Sequence, residues 1–302
     1  MITVNSLSGG KTSSYLAAHY PADIEVFALC CIDDHNAGKG IDKKLMQMAN
    51  DKLQIYCSHQ NEFVATSEDP VILKTMFDLE QHLGREIIWL RGMGWEDMMR
   101  IKNAIPNIDK RFCTTIMKMI PIFEFLYMYH ELPVQMRVGY RYDEMERATK
   151  FTDKFKMSTH CEIYGDPSEV GSNKILQNAL KFNSKVGLYT MHRWTELTWR
   201  IGDFVLIDNK IVHPMIIDYW EDKGIEFAKD SNCQNCFWKQ EQQLRKNYDT
   251  NPDIMKWAAV QEVIYDHTFK ENYSLLEIER MGIQMDFFFG TGSGCQAGFC
   301  TD

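Results

Sequence analysis

Thr3-Val4-Asn5-Ser6-Leu7-Ser8-Gly9-Gly10-Lys11-Thr12-Ser13-Ser14-Tyr15-Leu16-Ala17-Ala18 is the stretch that decides the fold. It reads as a strand, a phosphate loop and a helix in immediate succession. Two adjacent glycines let the backbone turn and approach an anion closely. Free N–H groups at the helix start and the hydroxyls of Ser8, Thr12, Ser13 and Ser14 supply donors. The expected ligand is a phosphate or pyrophosphate held by Ser8, Gly9, Gly10, Lys11, Thr12 and Ser13. The P-loop of common ATPases is excluded, because it needs four residues between its first glycine and Gly-Lys-Ser/Thr.

Outward from this stretch the chain alternates. Ile24 to Ile32 is a short apolar run ending in Asp33-Asp34, as expected of a buried parallel strand with acids at its ligand-facing end. Asp33 is a candidate for the nucleotide ribose or base, or an acid of a solvated loop, and Cys30 and Cys31 are expected in the core. Leu45–Leu53 suits a helix, Leu53–Cys57 a strand, Pro70–Leu83 a helix, Glu86–Leu90 a strand, and Val134–Gly139 a further strand entering a loop. Such alternation predicts an α/β fold with a doubly wound, mainly parallel sheet. Residues 151–212 are less regular and read as an insertion or lid, with a hairpin over Phe204–Val212 around Asp208-Asn209. Asp253–Met281 reads as helical. The division expected is a nucleotide-binding domain over 1–220 and a helical, cysteine-rich C-terminal appendage over 221–302.

At 302 residues, 45% of them hydrophobic, the chain can bury a large core. Its apolar runs fall short of the roughly 20 residues that span a bilayer, and the N-terminus lacks the pattern of a signal peptide, so no membrane partner and a cytoplasmic location are expected. The formal charge of −9 argues against non-specific coating of nucleic acid. Nine cysteines without an export signal point to metal binding, catalysis or burial.

Two further motifs carry chemistry. In Arg111-Phe112-Cys113-Thr114-Thr115-Ile116-Met117-Lys118-Met119-Ile120-Pro121, the cations Arg111 and Lys118 bracket a thiol and two hydroxyls and are candidate phosphate ligands of the nucleotide, with Gly139, Arg141 and Arg147 of the next motif. Positive charge favours the thiolate, which makes Cys113 a candidate nucleophile, with a packed helix-start cysteine as the plainer reading. In Gly139-Tyr140-Arg141-Tyr142-Asp143-Glu144-Met145-Glu146-Arg147-Ala148, Arg141 and Arg147 offer forked donors to phosphate or sulfate oxygens, and Glu144 stands one helical turn before Arg147.

The loop resembles the Ser-Gly-Gly-x-Asp-Ser pyrophosphate (PP) loop of the adenine nucleotide alpha-hydrolase superfamily, a Rossmann-like group that includes ATP pyrophosphatases and phosphoadenylylsulfate (PAPS) reductases. Thr12 stands where that loop has Asp. The Arg111 motif resembles the Arg-x-Cys-Thr-x-x-x-Lys-x-x-Pro stretch of PAPS-reductase-like proteins and of the pyrophosphatase component of DNA phosphorothioation systems. The Gly139 motif resembles Gly-x-Arg-x-x-Glu-x-x-Arg-Ala of the same superfamily. His213-Pro214 to Trp220 is similar to its Pro-Leu-x-x-Trp segment, with the tryptophan two positions late; His213 is assigned no catalytic role. The resemblance spans about residues 3–220.

Three functions follow from it. An ATP pyrophosphatase would adenylate an acceptor oxygen, release pyrophosphate and let sulfur displace AMP, with Mg2+ accompanying ATP and Lys11, Arg141 and Cys113 as the catalytic set. A PAPS or adenylylsulfate reductase ranks second, because the Glu-Cys-Gly-x-His sequence of those reductases is absent. A nucleotide-binding interaction module is the third. Phosphorothioation and thiolation proteins suggest a nucleic acid acceptor and a sulfur-donor protein as partners. Lys239, Arg245 and Lys246 beside Phe237 and Trp238 offer a basic, aromatic cluster for such an acceptor, or a solvated helix face.

The last chemical signal is Cys233-Gln234-Asn235-Cys236 followed by Cys295-Gln296-Ala297-Gly298-Phe299-Cys300. Four thiolates in pairs suit tetrahedral Zn2+ or a 4Fe-4S cluster, and ligand count does not separate the two. A redox thiol pair is the alternative for Cys233 and Cys236. Adenylylsulfate-using relatives carry a paired cysteine at the position of Cys113-Thr114 as cluster ligands. Thr114 breaks that pair here; if Cys113 is not a ligand, the self-contained set Cys233, Cys236, Cys295 and Cys300 leaves it free for sulfur chemistry, and that four-cysteine set is the expected metal site.

Overall fold

A computed structural model describes residues 1–57, 61–183, 186–229 and 233–283. The chain divides into two compact units, one of residues 1–151 with 202 onward and one of residues 152–201.

The first unit is built on a five-stranded sheet flanked by helices, in the order β10-β6-β1-β2-β5. Its strands are β1 (Thr3–Leu7), β2 (Ile24–Leu29), β5 (Ile87–Arg91), β6 (Val134–Val138) and the last two residues of β10 (Arg200–Asp203). From β6 through β1 and β2 to β5 every pairing is parallel. The central strands β2 and β5 are nearly continuous in burial, as expected of strands covered by helices on both faces, whereas β6 alternates buried Val134, Met136 and Val138 with half-buried Gln135 and Arg137. Helix α1 (Lys11–His19) carries the chain from β1 to β2; α2 (Lys43–Tyr56) and α3 (Val71–Leu83) precede β5. A short pair, β3 (Cys31–Ile32) with β4 (Ala65–Thr66), is antiparallel. The strand expected over Leu53–Cys57 is instead the last turn of α2, because Ala49, Asn50 and Leu53 bury one helical face.

After β5 come α4 (Trp95–Lys102) and a continuous helical run: α5 (Phe112–Thr114), a π-turn over Thr115–Met119, and α6 (Ile120–Tyr129). The chain then crosses back to β6 on the far side of β1. Strand order therefore reverses between β1 and β6, and the crevice at their carboxyl ends is the point where open α/β sheets bind ligands. A short helical segment over Tyr142–Glu144 and α7 (Met145–Ala148) follow β6 directly.

The second unit is a three-stranded antiparallel sheet of β7 (Lys154–Tyr164), β8 (Lys181–Asn183) and β9 (Leu188–Thr198), in the order β7-β9-β8, with α8 (Lys174–Ala179) ahead of β8. The insertion thus covers 152–201, narrower than the 151–212 expected. The hairpin expected over Phe204–Val212 is absent: Val205–Asp208 forms α9, whose Leu206 is fully buried. Burial of that leucine and helical bonds from Asp208 N–H to the Phe204 carbonyl and Asn209 N–H to the Val205 carbonyl override the turn signal of Asp208-Asn209.

Helix α10 (His213–Glu221) packs on α1, and α11 (Glu241–Thr250), α12 (Pro252–Tyr265) and α13 (Leu275–Arg280) follow. Leu244, Ile254, Trp257 and Leu275 share one core with Cys30, Ile32, Val64 and Trp95. The described C-terminal helices are therefore part of the sheet-bearing unit. Among the described residues no helix is long and apolar enough to cross a membrane.

Candidate functional site

The loop after β1 is shaped by Gly9 and closed by hydroxyls. Gly9 has φ +73°, and a Cβ there would lie 2.5 Å from Cγ2 of Ile72. The Ser13 hydroxyl donates to the Gly10 carbonyl at 3.1 Å and accepts the Ser8 N–H at 3.1 Å, with the Ser8 hydroxyl 3.0 Å away. Ser13 thus stitches the loop upon itself. No side chain caps the first turn of α1, which leaves its N–H groups available to an anion.

The loop after β6 meets it. A Cβ on Gly139 would stand 3.3 Å from the Ser13 nitrogen, so the two loops touch through a residue without a side chain. The Arg141 guanidinium reaches the Thr12 hydroxyl at 3.4 Å and is oriented by Asp143 at 2.9 and 3.0 Å and by Glu144 at 3.1 Å. Thr12, where the resembled loop has a carboxylate, therefore makes a neutral contact with a buried arginine. Asp143, an exposed residue, is partly desolvated yet held below the ordinary carboxylate range by Arg141, whereas burial pushes Glu144 up. Arg147 lies over the Tyr140 ring, 4.5 Å from its centre, and burial lowers its proton affinity, opposed by Glu144 and reinforced by Arg111 and Arg141. Lys11, Arg141, Arg147 and Arg111 thus gather at the switch point of the sheet.

A second cluster lies at the carboxyl end of β2. Lys118, buried, pairs with the fully buried Glu68 at 3.0 Å, and Glu68 also accepts the Cys30 N–H at 3.3 Å. Ser67 donates its hydroxyl to the Cys233 sulfur at 3.6 Å, and the Gln234 N–H bonds the Ser67 carbonyl at 2.6 Å. The Cys233 thiol is drawn down by a hydrogen bond from Cys30 and by the Lys118 ammonium, against the effect of burial. Burial pushes Cys236 up, and Cys233 and Cys113 add to that. Cys113 is pushed up to about 11 by burial and by Cys233, with Arg111 opposing. At neutral pH the resting Cys113 is a thiol, and the sulfur biased toward the thiolate is Cys233.

The sequence candidates fall into these two groups. Ser8, Gly9, Gly10, Lys11, Thr12, Ser13, Gly139, Arg141 and Arg147 belong to the switch-point crevice. Arg111 acts on Arg147 while Cys113, two residues on, acts on Cys233 and Cys236. Lys118 sits with the thiols and Glu68 instead of with the phosphate loop. Asp33 is tied to Arg91 at 2.8 Å, and its N–H donates to Glu96. Of the basic, aromatic cluster expected from Phe237, Trp238, Lys239, Arg245 and Lys246, Phe237 and Lys239 are buried, Trp238 is exposed, and Arg245 and Lys246 are half-buried. Cys295 and Cys300 lie outside the described residues; among the described ones no three His, Cys, Asp or Glu side chains are arranged to hold a metal ion. Sequence reasoning missed Glu68 and Cys30. Neither lies in a motif, and they meet Cys233 only in the folded chain.

No family model and no solved structure matches the chain. Over 80 residues it is 40% identical to an uncharacterized protein, MJ0066, of Methanocaldococcus jannaschii; the match covers 26% of this chain and 16% of that protein.

Proposed function

We propose that the chain is a PP-loop ATP pyrophosphatase that adenylates an acceptor and supports sulfur transfer. The observation that carries this reading is that Cys113 packs with Cys233 against one core, while Arg111, two residues before it, is electrostatically coupled to Arg147 of the phosphate crevice. A nucleotide held in the crevice and a sulfur held in the thiol cluster would share the Arg111–Cys113 wall.

In this reading the α1 N–H groups, Lys11 and Arg141 bind the β- and γ-phosphates, and Mg2+ is held chiefly by the nucleotide's own oxygens. An acceptor oxygen attacks the α-phosphorus, the bond to pyrophosphate breaks, and Lys11, Arg141 and Arg147 offset the charge gathered on the leaving group. A persulfide sulfur from a donor protein passes to the Cys113 thiol, releasing the donor's thiol, and then displaces AMP from the nucleic acid proposed as acceptor; the disulfide so formed is cleaved by a second thiol, which leaves the sulfur on the acceptor.

Cys233, biased toward the thiolate, and Cys236, electrostatically coupled to it, are fitting donors for a soft cation. Cys233 and Cys236, with Cys295 and Cys300, would hold Zn2+ or a 4Fe-4S cluster. Once bound, that group would supply the positive charge that keeps the thiolates ionised.

The test is product analysis. Incubated with ATP, Mg2+ and DNA or transfer RNA, the protein is expected to yield pyrophosphate and adenylated nucleic acid, and to release AMP once a sulfur donor is added. ADP and orthophosphate, or no turnover together with tight ATP binding, would overturn the pyrophosphatase reading.

A further inference from the structure

His213 is the first residue of α10, and its Nε2 is buried with no hydrogen-bond partner. The helix that carries it is fastened on two sides. The Trp220 indole N–H donates to the Lys11 carbonyl at 3.0 Å, and the Tyr142 N–H donates to the Ile211 carbonyl at 2.9 Å. These bonds hold the imidazole between the loop after β1 and the loop after β6. The charged groups that face it are Lys11 of α1 and Arg141 and Asp143 of the β6 loop. A buried ring nitrogen set against two cations and one already paired carboxylate is satisfied by an anion arriving between them.

We propose that His213 is a phosphate ligand of this crevice, its Nε2–H hydrogen-bonded to an oxygen of the bound polyphosphate. The inference rests on the phosphate reading above and adds a residue that no motif assigned. Burial, then Arg141 and Lys11, hold the proton affinity of the ring below its ordinary value, with Asp143 opposing, so in the ligand-free protein it is neutral at pH 7. A polyphosphate brings more negative charge than the two cations carry, which reverses the local field. The ring then takes one proton from solvent, and His213 becomes a third cation on the phosphate chain beside Lys11 and Arg141.

The experiment is calorimetric titration of the full chain with inorganic pyrophosphate at pH 7, in two buffers of different ionisation enthalpy, for the wild type, His213→Gln and Arg141→Ala. The wild type is expected to take up more protons per pyrophosphate bound than His213→Gln, which keeps a donor and still binds, about tenfold more weakly (1.4 kcal/mol). In the 1H–15N spectrum, the ring nitrogens of His213 should move to imidazolium positions on addition of pyrophosphate. Equal proton uptake in the wild type and His213→Gln, or ring nitrogens unmoved by bound pyrophosphate, would overturn the role of His213 while leaving an Arg141-dependent crevice in place. Absence of pyrophosphate binding to the wild type would remove the phosphate reading and this inference with it.

Discussion

The indole N–H of Trp220 donates to the Lys11 carbonyl at 3.0 Å, joining residues 209 positions apart. Trp220 is buried in the core that also holds Tyr15, Leu16 and Ile72, so the bond fixes the first turn of α1 from the side of α10. Replacing it with phenylalanine removes the donor and leaves a void. The Trp220→Phe variant should lose about 1–3 kcal/mol of stability. Pyrophosphate affinity should fall as well, because the loop loses an anchor. Urea unfolding and calorimetry check both, and unchanged affinity would show that the loop holds its shape without α10.

Gly9 combines a left-handed backbone with the 2.5 Å approach a Cβ would make to Ile72. Each disfavours a side chain by a separate mechanism. Gly9→Ala should cost roughly 2–4 kcal/mol, from positive φ and from overpacking. In the Gly9→Ala, Ile72→Ala pair the steric part is relieved and the backbone part stays, so a double-mutant cycle in denaturant should report coupling of about 1 kcal/mol or more. Additive losses would assign the whole effect to the backbone.

The strand, loop and helix from Thr3 to Ala18 were legible because adjacent glycines between an apolar run and a helical one admit few geometries, and α3, β5 and β6 followed from local pattern alone. What stayed hidden depends on distant pairing. Nothing in the neighbourhood of Glu68 announces that it will meet Lys118, 50 positions on, and nothing around Cys30 announces Cys233. Lys118 looked like a phosphate ligand because it stands in a motif with Arg111; in the folded chain it lies in the π-turn over Thr115–Met119 and is paired with Glu68. Phe237 and Lys239 misled for the opposite reason: a polar, aromatic run reads as surface until the core of α11 to α13 closes over it.

The Lys118–Glu68 pair is buried on both sides, which makes removal of one partner more harmful than removal of both. Lys118→Met leaves an uncompensated carboxylate and should cost roughly 3–5 kcal/mol. Adding Glu68→Gln should restore a substantial part of that loss. Thermal and urea unfolding of the single and double variants decide the matter; a double variant as unstable as the sum of the singles would show that the two groups act independently.

Cys113 and Cys236 are electrostatically linked, yet they have different roles in the proposed reaction. Cys113 is at the wall between crevice and thiols and is protonated at rest, whereas Cys236 belongs to the pair proposed to hold a metal. Cys113→Ser should therefore abolish sulfur-dependent turnover and leave both pyrophosphate affinity and metal content unchanged. Cys236→Ser should lower metal content measured on anaerobically purified protein and leave pyrophosphate affinity unchanged, since no phosphate-loop residue depends on it. If Cys113→Ser also loses the metal, Cys113 is a ligand and the attacking sulfur must come from elsewhere. If it keeps both the metal and full sulfur-dependent turnover, the thiol is a packing residue, and the sulfur chemistry belongs to the donor protein alone.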